Sequence, residues 1–127
     1  MASTVHEQIV LPARPETIWP LLTEAEHIAA WYAFGGAEVD PRPGGAMVLR
    51  WDEHGSFPAT VRTVEPQHRF TFEWHPLPGP VVEFALTPQD GGTRVDITET
   101  GELDDPDTSA MAWRNSLDLL RQLAAEI

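Results

Sequence analysis

Two glutamates, Glu7 and Glu99, are the residues of this sequence whose types and positions could do chemistry. Val5, Glu7, Ile9 and Leu11 share one face of a β-branched, aliphatic run, with His6, Gln8 and Val10 on the other. Near the end of the chain Val95 and Ile97 continue an inward face that ends at Glu99. A carboxylate among apolar neighbours must be paired, hydrogen-bonded or protonated. It then acts as a polar anchor, or as a general base, inside an apolar pocket. The structural alternative is a carboxylate at the rim, or one satisfied by an arginine or by a hydroxyl such as that of Tyr32.

Aromatic side chains form the second group. Trp31, Phe34, Trp51, Phe72, Trp74, Phe84 and Trp113, together with Leu117, all fall on inward positions. Any one of them alone reads as ordinary core. As a set, with few polar groups among them, they have the composition of a ligand-binding cavity.

Other chemistries find no support. No G-x-S-x-G motif is present, and Ser3, Ser56, Ser109 and Ser116 avoid strand-to-helix turns. His6, His27, His54, His68 and His75 lack the spacing that brings two imidazoles to one metal, and none is predicted to point inward. Gly44-Gly45 and Gly91-Gly92 lie between strands, where turns explain them, rather than ahead of a phosphate-binding helix. The chain has no cysteine, hence no disulfide, thiolate ligand or thiol nucleophile. No metal and no cofactor is expected.

At 127 residues the chain is sized for a single domain, 1–127. Twenty acidic residues against eight basic ones, all arginine, give a net charge of −12. Such a surface repels nucleic-acid phosphates and anionic membranes. Met1 to Glu7 lacks a basic start followed by a long apolar run, and no apolar stretch reaches the roughly 20 residues of a membrane span. A cytoplasmic protein is the expectation.

The elements that must position these residues follow in order. Thr4 to Leu11 is a strand ended by Pro12. Pro15 opens a helix with Ile18, Leu21 and Leu22 inward, and Thr23 with Glu26 forms a capping box for a second short helix to about Trp31. Turns at Gly35-Gly36 and around Pro41 to Gly45 flank a short edge strand, Ala37 to Asp40. Further strands carry Met47, Leu49 and Trp51, then Phe57 to Val64, then Phe70, Phe72 and Trp74. On that last strand Arg69, Thr71, Glu73 and His75 face outward, and Arg69, Glu73 and His75 form a solvated strip. Val82, Phe84 and Leu86 precede the Asp90-Gly91-Gly92 hairpin. Asp105 caps and Pro106 starts a long helix, whose stripe runs through Trp113, Leu117, Leu120, Ala124 and Ile127 and is widened by Leu119 and Leu123. The class is α+β, with helices over one face of an antiparallel sheet.

With these segments in place, the chain resembles the START-like, helix-grip proteins of the SRPBCC superfamily. The resemblance is strongest to bacterial homologues of the C-terminal domain of the heat-shock-protein-ninety ATPase activator. It is carried by ARPETIW from Ala13 to Trp19, TEAEHIAAW, RPGGAMVLRW, VRTVEPQHRFTFEW and GGTRVDITETGE. It implies a curved antiparallel sheet of six or seven strands around a long C-terminal helix, with two short helices after the first strand. First and last strands are neighbours in that fold, which would bring Glu7 towards Glu99. The implied function is non-catalytic binding of a small hydrophobic or amphipathic ligand, a lipid included, between sheet and terminal helix. Alternatives are a cyclase- or dehydratase-like enzyme using a pocket carboxylate, or a co-chaperone-like interaction module. Chaperone binding rests on fold analogy alone and is not carried over. An exposed strand edge or the Trp31–Phe34 segment would serve a homodimer, though nothing in the sequence requires one. A ligand site needs an unfilled gap; Trp113 packed on Phe84 with no void between sheet and helix would leave none.

Overall fold

The computed structural model describes residues 2–126, so Ile127 at the end of the helical stripe lies outside the described residues. Seven strands form one antiparallel sheet in the order β1-β7-β6-β5-β4-β3-β2. They are β1 (Ser3–Leu11), β2 (Gly36–Val39), β3 (Ala46–Trp51), β4 (Gly55–Glu65), β5 (Arg69–Trp74), β6 (Val81–Gln89) and β7 (Gly92–Gly101). Helices α1 (Pro15–Thr23) and α2 (Ala25–Trp31) carry the chain from β1 to the far edge, and α3 (Pro106–Ala125) packs on β1 and α2. This is the expected helix-grip arrangement. Among the described residues no helix is long and apolar enough to cross a membrane.

Hairpin turns fix the register, and the register fixes which side chains meet. One row across the inner face reads Val5, Glu99, Val82, Phe72, Val61; the next reads Glu7, Ile97, Phe84, Phe70, Val64. Over the second row α1 and α2 lay Ile18, Leu21, Leu22, Ile28 and Trp31, all buried. Trp31 is held by its indole N–H, which donates to the Leu21 carbonyl at 2.7 Å.

The terminal helix starts as its sequence dictates. Asp105 is the N-cap, its carboxylate accepting from the Thr108 N–H at 3.3 Å and the Thr108 hydroxyl at 2.7 Å. Its 20 residues span roughly 30 Å. The buried stripe is Trp113, Ser116, Leu117, Leu120 and Ala124; Leu123 is half-buried, and Leu119 does not widen the stripe but stays exposed.

Two local readings are corrected. Thr23 closes α1 rather than capping α2: its hydroxyl donates to the Trp19 carbonyl at 3.0 Å, and Glu24 occupies the N-cap with no side-chain cap bond. A threonine that bonds back into its own helix is no longer available to the next one. On β5, Glu73 is buried rather than part of a solvated strip, and the outward-facing Thr71 is buried as well. Glu73 accepts from Arg62 Nε at 2.7 Å, beside the irregularity in the β4–β5 pairing, and from the Gly79 N–H at 2.9 Å. The loop 76–80 therefore folds back over the sheet's outer face. Gly79 is required there, since a Cβ would lie 2.0 Å from the Trp74 carbonyl oxygen.

The Gly79 N–H and then Arg62 hold the Glu73 carboxyl below its ordinary value of 4.5. A depressed carboxyl contributes stability that is complete above the unfolded value and is lost as pH falls through the folded one. Glu73→Gln should thus show a shallower loss of thermal stability than the parent as pH drops below 4.5; identical acid profiles would contradict this. Gly79→Ala, measured at neutral pH, should lower the melting temperature by several degrees, about what 1 kcal/mol or more implies for a domain this size.

Candidate functional site

The residues that follow α2 turn towards the sheet. Tyr32 leaves the helical conformation, and its carbonyl accepts from the Trp51 indole N–H at 2.9 Å, fastening β3 to the helix end. The Tyr32 ring lies flat on Trp113 of α3, centroids 4.4 Å apart and planes at 19°, and meets Trp51 edge-on at 5.0 Å. Trp51 also contacts Phe57 and Trp74, at 5.7 and 6.4 Å. Aromatic surfaces from β3, β4, β5, α3 and the α2–β2 connection thus converge.

At their centre is Glu99, 8% exposed. Trp113 Nε1 donates to Oε1 at 3.0 Å, and Trp74 Nε1 donates to Oε2 at 3.3 Å. Among the described residues Glu99 enters no ion pair. Two neutral indoles therefore satisfy a nearly buried carboxylate. Each carboxylate oxygen retains acceptor capacity, because together the two oxygens offer about four lone-pair sites.

Glu99 borders a cavity of about 670 Å³. Tyr32, Phe34, Trp51, Phe57, Trp74 and Trp113 supply its aromatic walls, and Thr108, Ser109, Ala112, Asn115, Ser116 and Leu119 of α3 close it on the helical side. His54, at the tip of the β3–β4 hairpin, is also part of the lining. The cavity opens to the surface, since Phe34 (53% exposed), Phe57 (40%) and Leu119 (37%) all border it.

Of the residues singled out from the sequence, Phe34, Trp51, Trp74, Glu99 and Trp113 come together around this space. Trp31, Phe72, Phe84 and Leu117 do not line it; they are buried core. Phe84 meets Trp113 edge-on at 6.0 Å, so the middle of the grip is packed and the void sits to one side. The reason is the pair of short helices, whose Leu21, Leu22, Ile28 and Trp31 plug the space beneath Phe84 and Phe70. Glu7 points inward but lies at the rim, its carboxylate accepting from Arg114 of α3 at 3.2 and 3.3 Å. It therefore forms no carboxylate pair with Glu99. Nor is the Tyr32 hydroxyl the partner of Glu99, a role taken by the indoles.

Sequence reasoning missed His54, Phe57 and the α3 wall. No periodicity rule assigns a hairpin-tip histidine to a pocket. The helix did carry a signal: Ser109, Ala112 and Ser116 recur at steps of three and four, a face too small to fill the space opposite it.

Burial, and after it the Glu99 charge, hold the Tyr32 phenol well above its ordinary value of 10.0. Tyr32 is the chain's sole tyrosine, so ultraviolet absorbance of phenolate reports on it alone. The native protein should show no phenolate until pH is well above 10.0, and Glu99→Gln should move the onset down. Above 10.0 the unfolded chain ionises while the folded one does not, so stability should fall as pH rises through that range. An ordinary tyrosine titration in the folded state would contradict the assigned burial.

Residues 12–125 match the family described as Activator of Hsp90 ATPase homolog 1-like protein. Comparison with curated proteins gave no match. Among solved structures, protein MLL2253 from Mesorhizobium loti is 26% identical over 98% of both chains, with a TM-score of 0.85. The Aha1 dimer from Colwellia psychrerythraea is 19% identical over 94% of this chain and 93% of that one, TM-score 0.83. CalU16 from Micromonospora echinospora is 21% identical over 97% of this chain and 76% of that one, TM-score 0.82. The last two likenesses are of fold alone. Because the family match takes in nearly all of the sequence and every element but the first strand, the chain belongs to the Activator of Hsp90 ATPase homolog 1-like family.

Proposed function

We propose that this domain binds a small hydrophobic or amphipathic ligand in the cavity between the β3–β4 hairpin and the N-terminal half of α3, without catalysing a reaction. The cavity around Glu99 carries the reading: about 670 Å³, walled by aromatic rings, with one nearly buried carboxylate. Sites for small molecules run from about 300 to 1,000 Å³ and combine apolar walls with a few placed polar groups. Burial of apolar ligand surface supplies the affinity, at about 25 cal/mol per Å² before ordering costs. Glu99 orients the polar end, with Phe34, Phe57 and Leu119 at the entrance.

Both Glu99 oxygens already accept indole hydrogen bonds, which favours an anchoring role over proton abstraction. The co-chaperone activity named for the family needs a partner surface; what is assembled around Glu99 is a concave, aromatic one.

Ala112 is exposed on α3 and lines the cavity, so a large side chain there fills the space without disturbing the core. A neutral fluorescent probe, N-phenyl-1-naphthylamine, should bind the native protein saturably at one site. Ala112→Trp should weaken it about tenfold or more, the factor that 1.4 kcal/mol represents, with the melting temperature little changed. Equal affinity in the variant would place the probe elsewhere and remove this cavity as its site.

A further inference from the structure

The charge at the heart of the cavity is more than packing requires. A neutral amide or carbonyl oxygen would accept hydrogen bonds from indoles without desolvating an ionised group, which is costly unless opposite charge compensates it. Yet the carboxylates Glu7 and Glu73 each have an arginine, and Glu99 has none. Trp74 and Trp113 turn their indole N–H edges to it, Tyr32 stacks on Trp113 beside it, and Trp51 lines the same cavity. Among the described residues no lysine or arginine lines the cavity; the basic group in its lining is His54, exposed at the hairpin tip. Ring faces attract cations through their quadrupole, most strongly for tryptophan and for desolvated cations.

We infer that the ligand of this cavity carries a positive charge: an organic cation, an amine or a quaternary ammonium group on an apolar body, seated among Tyr32, Trp51, Trp74 and Trp113 against Glu99. The inference rests on the cavity being a ligand site and adds the chemical class of what fills it. The cation supplies the opposite charge that the protein withholds from Glu99. The apolar body extends past Phe57 and Leu119 to the opening. A net charge of −12 raises the local concentration of cations around the molecule and speeds their capture at low salt.

Phenyltrimethylammonium and tert-butylbenzene have the same shape and differ in charge, so their affinities for the native protein separate the charge from the fit. Titration followed by tryptophan fluorescence should show the cation binding at least tenfold more tightly. Glu99→Gln, its fold checked by circular dichroism, should reduce that ratio to near one, and Ala112→Trp should weaken both probes. The native-protein ratio decides the matter even where Glu99→Gln does not fold. If tert-butylbenzene binds as tightly as the cation, the cationic ligand is overturned while the cavity remains a ligand site. If cation binding survives unchanged in Ala112→Trp, the cation is held elsewhere on the acidic surface, and the inference fails. If neither probe nor N-phenyl-1-naphthylamine binds saturably, the ligand site itself falls with it.

Discussion

Much of this architecture depends on one carboxylate placed in an otherwise apolar row. Glu99 stands between Val5 and Val82 across the sheet, where a hydrophobic residue would be expected. It is tolerable there because Trp74 from β5 and Trp113 from α3 each turn an indole N–H towards it. A hydrogen bond to a charged group contributes about 1.5–3 kcal/mol. A buried charge stripped of its partners costs about 3–5 kcal/mol. The second figure is the larger, so the stronger constraint is negative: α3 cannot slide along the sheet without stranding Glu99. The helix position in turn sets the Tyr32–Trp113 stack, and Tyr32 sets Trp51 through its carbonyl. One polar residue thereby indexes β3, β5, β7 and α3 to each other.

The grip is filled unevenly for reasons visible in the short helices. Ile18, Leu21, Leu22, Ile28 and Trp31 occupy the end of the groove over Phe70 and Phe84. Nothing comparable reaches the other end, where α3 presents Thr108, Ser109, Ala112 and Ser116. Beside Trp113 these small side chains leave space against the curved sheet, whereas Leu117 and Leu120 further along are buried in the core. The cavity is thus written into the change of side-chain volume along a single helix.

Much of this could be read from the sequence because strand alternation and helical periodicity are local. The β5 pattern of Phe70, Phe72 and Trp74, the Asp105 cap and the inward position of Glu99 needed no tertiary knowledge. What could not be read depends on pairwise packing. Trp31, Phe72 and Phe84 share the hydrophobicity and facing of Trp51 and Trp74, and only the placement of α1 and α2 separates core from lining. Glu73 alternates as an outward residue, but a loop bound through Gly79 covers it. His54 shows no periodicity because it sits in a turn, and its neighbourhood is created by α3, far away in sequence.

The contrast between the two inward carboxylates bears most directly on function. Glu7 and Glu99 lie on adjacent strands and face the same side, two residues apart in register. At the rim, where water already screens charge, α3 supplies Arg114 to Glu7. Deeper in, where an unpaired charge is costlier, the same helix supplies only the neutral Trp113 one residue earlier. An arrangement serving stability alone would reverse this, spending the arginine on the buried group and leaving the half-exposed one to solvent. An uncompensated charge kept inside an open aromatic cavity is instead what a site needs when the compensating charge arrives with its ligand.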